Sequence, residues 1–190
     1  MFPTTVWTVI REAGDQDLQA LESFASNYRA PVLKYIRGRG LGAGDAEDLC
    51  QDVFVRVFGG KVLAKADAAK GRFRSLLLTV VRRVIQDWLR RRRPEVSLQE
   101  FDPADRDPDF DREWVLHLTE RALQRLHEKK SPYYAVLKRH LAGESQNRNK
   151  LWIARNKLIA LIRHEIALTC RSPEEFEEEA AYLSTFLGKS

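Results

Sequence analysis

The sequence predicts an all-α fold, with two small helical domains joined by an acidic linker. Three observations predict it. Apolar residues recur at three- and four-residue spacing through most of the chain, which sets them on one face of a helix. Alternating β-branched runs between turn signals are missing, so strands are not expected. Residues 95–110 are acidic, contain Pro103 and Pro108 and show no periodicity. They read as a linker between a domain at 1–94 and one at 111–190. At 190 residues and 44% hydrophobic content the chain can bury a core.

Leu18, Leu21, Phe24, Ala25 and Tyr28 mark the first helix, and Pro31 is expected to kink or restart it. Val32, Leu33 and Ile36 continue the apolar face until Gly38 and Gly40 end it. Asp45 is placed to cap the second helix, with Glu47 and Asp48 favourable in its first turn. Ala46, Leu49, Cys50, Val53, Phe54, Val57 and Phe58 form its stripe, and Gly59-Gly60 stops it. In the third helix Phe73, Leu76, Leu77, Val80, Val81, Val84, Ile85, Trp88 and Leu89 share one face, and Pro94 ends it. Beyond the linker, Trp114, Val115, Leu118, Ala122, Leu123 and Leu126 mark another helix. Tyr133, Tyr134, Leu137 and Leu141 mark a shorter one that stops near Gly143. A long apolar-rich helix covers Leu151 to Leu168 and begins near Asn147 or Asn149. The last starts with Ser172 as cap, Pro173 first and Glu175 three residues after the cap. Its Phe176, Ala180, Leu183, Phe186 and Leu187 are expected to face inward.

The net charge of +5 says less than its distribution. Between Lys70 and Arg93 the cations are Lys70, Arg72, Arg74, Arg82, Arg83 and Arg90 to Arg93, against the single acid Asp87. Glu100 to Glu113 and Glu174 to Glu179 are acidic instead. A polyanion can contact the first block and is repelled by the other two. Lys61, Lys65, Lys70, Arg72, Arg74, Arg82, Arg83, Gln86, Arg90, Arg91 and Arg93 are therefore candidate nucleic-acid contacts. Phe73 and Trp88 lie on the apolar stripe and are expected to be buried rather than stacked on bases. The acidic linker reads as a soluble spacer, or as a segment that folds back on the Arg surface and screens it.

Catalytic signatures are missing: no P-loop, no GxGxxG after a strand, no HExxH and no GxSxG. Cys50 and Cys170 sit at apolar helical positions and read as core residues. With four scattered histidines they give no metal-ligand spacing, so neither metal nor cofactor is expected. Asp45, Glu47, Asp48 and Asp52 spread over one solvated helix face, which suits docking a partner better than catalysis. The first residues lack a basic start followed by an apolar stretch, and no run approaches the roughly 20 apolar residues a membrane span needs. A cytoplasmic protein without membrane contact, and not an enzyme, is the expectation.

Three segments in order, FASNYRAPVLKYIRGRG, DAEDLCQDVFVRVF and GRFRSLLLTVVRRVIQDWLRRRR, resemble the first domain, region two, of extracytoplasmic-function (ECF) sigma factors of bacterial RNA polymerase. TVWTVIREAGDQD and FDREWVLHLTERALQRL are similar to a subgroup common among planctomycete-type sequences. The resemblance implies that Asp45, Glu47, Asp48, Leu49, Gln51, Asp52 and Arg56 dock on the clamp coiled coil of core RNA polymerase. It implies that Arg72 to Arg93 opens and reads promoter DNA, and that the Gly59 to Gly71 loop holds a flipped base. The polymerase, not this chain, would be the enzyme.

Two positions depart from the family pattern: Leu76 and Arg83 stand where Trp and Asn are usual. WIARNKLIALIRHEIALTCRSPEEFEEE resembles the end of the family's second domain, region four, but only AGESQNRNK precedes it. A recognition helix needs a supporting helix to sit in the major groove. The second domain is thus read as abbreviated, with Lys150, Arg155, Lys157 and Arg163 as weaker phosphate contacts. Such a chain would need upstream positioning from a DNA-bound recruiting partner or from polymerase alone, and an anti-sigma factor could regulate it. The rival readings are a sigma-derived adaptor that binds polymerase without recognising promoters, and a basic helical nucleic-acid module with no polymerase link.

Overall fold

The computed structural model describes residues 18–58, 72–92 and 106–187, with side chains from residue 25 onward in the first of these segments. All regular structure among them is helical: α1 Leu18–Gly38, α2 Ala43–Phe58, α3 Phe73–Arg92, α4 Pro108–Glu128, α5 Pro132–Leu141, α6 Arg148–Ala167 and α7 Pro173–Leu187. The chain divides into two compact units, one running to Glu113 and one from Trp114.

In the first unit α1 packs on α2, α2 on α3, and α1 also touches α3. The core holds most of the predicted stripes, though Leu76, Ile85, Trp88 and Leu89 are only half-buried and Leu78, off the predicted stripe, is buried. Val32, Ile36, Ala46, Leu49, Cys50, Val53, Val57, Phe73, Leu77, Val81 and Val84 are buried. Each large apolar side chain fully removed from water contributes about 1.5–3 kcal/mol. The Tyr28 and Phe73 rings lie 5.2 Å apart and join α1 to α3.

Three local expectations are corrected. Pro31 does not restart the chain as a second helix: α1 runs through it unbroken. Buried between Ala30 and Val32 on the packed side, its ring adds apolar contact that offsets the missing N–H donor. Asp45 is not a cap. The amide of Ala46 donates to the Gly42 carbonyl at 2.9 Å, so the helix starts one turn earlier and Asp45 sits within its first turn. Pro108–Phe110, read as linker, are the first turn of α4, and the rest of the linker before Arg106 lies outside the described residues.

In the second unit α5 packs on α6 and α6 on α7. Leu126, Leu137 and Ala154 form a small core, with Leu123, Tyr133, Tyr134, Val136, Leu158 and Leu161 packed against it. The predicted starts hold. The Asn147 side chain accepts from the Lys150 amide, and the Ser172 hydroxyl accepts from the Glu175 amide. The Glu175 carboxylate reaches back to the Arg171 amide at 2.9 Å. Leu141 and Leu187, expected to face inward, are exposed at the ends of their helices.

Candidate functional site

The site rests on α2 and α3. The stripe that buries Ala46, Leu49, Cys50, Val53 and Val57 leaves the opposite face of α2 to water. Asp48, Gln51, Asp52 and Val55 lie there at i, i+3, i+4 and i+7, so they form one exposed line. Val55 is 62% exposed, an apolar residue amid acids.

The other docking candidates serve as ties between helices. Glu47 bridges Arg29 and Arg37 of α1. Asp45 pairs with Arg92 at 2.9 Å, and Arg56 with Asp87 at 2.6 Å, both across to α3. These pairs are solvent-screened and worth about 0–1 kcal/mol each. Their main effect is geometric: they fix α2 against α3, so the acidic line and the Arg-rich end of α3 keep one register. A shallow groove of about 440 Å³ lies between them, lined by Asp52, Val55, Arg56, Asp87, Arg90 and Arg91.

The basic candidates divide sharply. Arg83, Arg90 and Arg91 are exposed. Arg72 and Gln86 are half-buried. Trp88 is also half-buried rather than enclosed, and the Arg92 guanidinium covers its ring at 4.2 Å. Arg74 is a correction: only 2% exposed, it pairs with the buried Asp111 carboxylate and is removed from any polyanion contact. The alternative, a buried guanidinium facing no anion, would cost several kcal/mol. Arg82 is mostly covered too and donates to Asp107 at 3.2 Å. Lys61, Lys65, Lys70 and Arg93 lie outside the described residues.

Asp107, Tyr35 and Arg39 were not among the candidates. Asp107 is buried, and its Oδ2 accepts from Tyr35 Oη at 2.7 Å and from Arg39 at 2.7 Å, besides Arg82. Burial pushes its carboxyl up, but the hydrogen bond from Tyr35, the Arg39 charge, Arg82 and the Phe110 amide together outweigh that and hold it below the usual carboxylate range. Burial first, and then the hydrogen bond to Asp107, raise the Tyr35 phenol above its ordinary value. The signal that could have found Asp107 is Asp-Pro, a cap residue followed by proline at the first helical position.

In the second unit the weaker cation candidates engage their own surface. Arg155 meets His140 Nε2 at 2.8 Å, Lys157 lies over the Tyr133 ring, and Arg163 pairs with both oxygens of Glu177 while covering Phe176. Lys150 is exposed. Trp152, expected in an apolar helix, is 68% exposed. Among the described residues no cluster of metal-ligating side chains forms, and no helix is long and apolar enough to cross a membrane.

The acidic line of α2 stands beside the Arg-bearing end of α3, held in register by ion pairs, so two faces of opposite charge adjoin. Residues 24–95 match the family model of sigma-70 region 2. The match spans α1 from its first full turns, α2 and α3, and the segment between them. The likeness covers 72 of the chain's 190 residues. No curated protein and no solved structure matches this chain. The region-2 segment ends before Arg106, whereas the compact unit that contains it continues to Glu113 and takes in Asp107, Phe110 and Asp111.

Proposed function

We propose that the chain is an ECF-type sigma factor. Its docking surface for the polymerase clamp is the α2 line of Asp48, Gln51 and Asp52, with Val55 beside them as an apolar anchor. Asp45, Glu47 and Arg56 hold that line in place through their pairs with Arg92, Arg29, Arg37 and Asp87. Arg83, Gln86, Arg90, Arg91 and Arg93, with Arg72 and the cations Lys61, Lys65 and Lys70 before it, contact promoter DNA. The single observation that carries the reading is the region-2 match over residues 24–95. The exposed acidic line on α2 supports it.

The test is capture of bacterial core RNA polymerase by the wild-type chain beside Asp48→Arg/Asp52→Arg. Capture by the wild type and loss in the variant is the expected result. Equal capture would remove α2 as the docking element, and no capture by the wild type would remove the sigma reading altogether.

A second reading, an adaptor that binds polymerase without recognising promoters, is favoured by two observations. Leu76 and Arg83 replace the Trp and Asn usual in ECF melting helices, and only AGESQNRNK stands where a region-four scaffold helix, turn and recognition helix are expected. Heparin-resistant open complexes formed with this chain would rule the adaptor out. In either case residues 111–190 are proposed as a shortened region-four domain, with Lys150, Arg155 and Lys157 adding weak phosphate contact, while Arg163 is held by Glu177.

A further inference from the structure

The two oxygens of Asp107 have separate tasks. Oδ1 accepts from the amides of Asp109 and Phe110, at 3.1 and 3.4 Å, and so caps α4. Oδ2 sits in a cradle made by Tyr35 Oη, Arg39 and Arg82, at 2.7, 2.7 and 3.2 Å. The cradle is built. Arg39 donates to Tyr35 Oη at 2.8 Å and lies over the Tyr35 ring at 4.6 Å, which leaves the phenol O–H to donate to Asp107. Two guanidiniums and a hydroxyl converging on one oxygen form an anion site, and guanidinium geometry suits a phosphate as well as a carboxylate.

The backbone that carries Asp107 is pinned independently of it. Phe110 is fully buried with its ring edge-on to Tyr35 at 5.3 Å, and Asp111 pairs with the buried Arg74. Rotation of the Asp107 side chain alone can therefore empty the cradle while the strap of residues 107–111 stays seated. Arg82 also stands in line with Gln86 and Arg90, at i, i+4 and i+8 along α3. The cradle thus continues the line of α3 side chains assigned above to DNA. Asp109 also lies 3.9 Å from Arg39, so a second carboxylate faces the cradle from its rim.

We infer that Asp107 is a built-in stand-in for a nucleic-acid phosphate: it fills the Tyr35–Arg39–Arg82 cradle in the free chain and yields it to a backbone phosphate when α3 engages DNA. The inference rests on the reading of α3 as the DNA-contacting helix. It makes the affinity of the free chain for DNA lower than its cations would give, and it assigns Arg39, outside α3, to the DNA surface.

Asp107→Asn tests this in the full chain, because Asn caps a helix as well as Asp does and keeps the shape while removing the charge. The probe is a short duplex DNA with an unpaired stretch, titrated at several salt concentrations. The variant should bind several-fold more tightly than wild type at low salt. Its advantage should shrink about 3.5-fold for each fourfold rise in salt, as one added phosphate contact requires. Adding Arg82→Gln to Asp107→Asn should return affinity and salt slope to wild type. Equal or weaker binding by a folded Asp107→Asn, with an unchanged slope, overturns the inference and leaves Asp107 a cap and tie only. Should the variant not fold, the guanidinium Nε–H resonances of Arg39 and Arg82 in the wild type decide instead. They should shift when DNA is added, and their standing still overturns the inference. Arg90→Glu/Arg91→Glu separates the two failures. If that pair leaves DNA binding intact, α3 is not the DNA helix, and the reading and the inference fall together.

Discussion

At the scale of single residues, burial decides what charge means. Arg74 stands in the most basic stretch of the chain, yet its guanidinium is enclosed against Asp111. Removing one partner of such a pair strands the other charge away from water. Asp111→Ala should therefore cost about 3–5 kcal/mol, seen as a lowered denaturant midpoint of the first unit. A loss below 1 kcal/mol would mean that water reaches Arg74. The pairing was not legible in the sequence because the partners lie 37 positions apart; only the tertiary fold joins them. Cys50 was legible, since it sits on the apolar stripe of α2. Burial pushes its thiol up from 9.0 to about 11, with Glu47 adding to the rise and Arg29 and Arg37 opposing it. A raised folded value means that the thiol's contribution to stability is whole below pH 9 and is lost as pH rises through about 11. The thiolate is the reactive form, so iodoacetamide at pH 8 should leave folded Cys50 unmodified and label it after denaturation. Rapid labelling of the folded chain, followed by mass spectrometry, would contradict the burial.

At the scale of elements, periodicity carried most of the information and caps the rest. The stripe of α3 was readable because an amphipathic helix repeats its apolar positions whatever it packs on. The end of α1 was readable at its glycines; Gly40 adopts φ +78°, a conformation that favours glycine. Pro31 was misjudged because proline's local cost is visible in the sequence, whereas the packing that offsets it is not. The acidic face of α2 was legible as a whole, but its division was not. Which carboxylates face water and which tie α2 to α1 and α3 depends on where Arg29, Arg37 and Arg92 arrive. The cap of α7 gives an element-scale prediction. The Ser172 hydroxyl accepts from the Glu175 amide, and hydrogen bonding with Ser172 is the main cause of the lowered Glu174 carboxyl. Ser172→Ala should cost about 1 kcal/mol, and Ser172→Asp should recover it. The readout is urea unfolding followed by α7 amide exchange. A loss confined to α7 exchange is the signature of a cap, while an unchanged midpoint and unchanged exchange would show that Pro173 and Glu175 suffice.

At the scale of the whole molecule, charge is segregated along the chain, and that segregation predicts how the protein responds to pH and salt. Asp107 and Tyr35 set the pH window of the strap. The Asp107 carboxyl lies below its ordinary value; its contribution is therefore present above about pH 4 and lost as pH falls through the depressed folded value. The Tyr35 phenol lies above its ordinary value of 10.0; its contribution is present below about pH 10 and lost as pH rises through the raised value. The stability difference between wild type and Asp107→Asn should therefore be flat across neutral pH and collapse on the acid side. A difference that grew on acidification would reverse the assigned sign. Salt acts on the other charges. The chain carries 32 Lys and Arg against 27 Asp and Glu, and a polyanion cannot profit from all of the cations. Arg29, Arg37, Arg56 and Arg74 are held by carboxylates, and Arg163 by Glu177. Contacts should therefore come from the Arg83–Arg91 side of α3, from the Arg39–Arg82 cradle once Asp107 yields it, and from Lys61, Lys65 and Lys70. The logarithm of DNA affinity should fall linearly with the logarithm of salt concentration, and Arg90→Ala should reduce that slope by about 0.9. Arg163→Ala should leave the slope unchanged, because Arg163 is already spent on Glu177. If the two substitutions lowered the slope alike, the second unit would share the phosphate contacts, and the DNA surface could not be confined to the first unit.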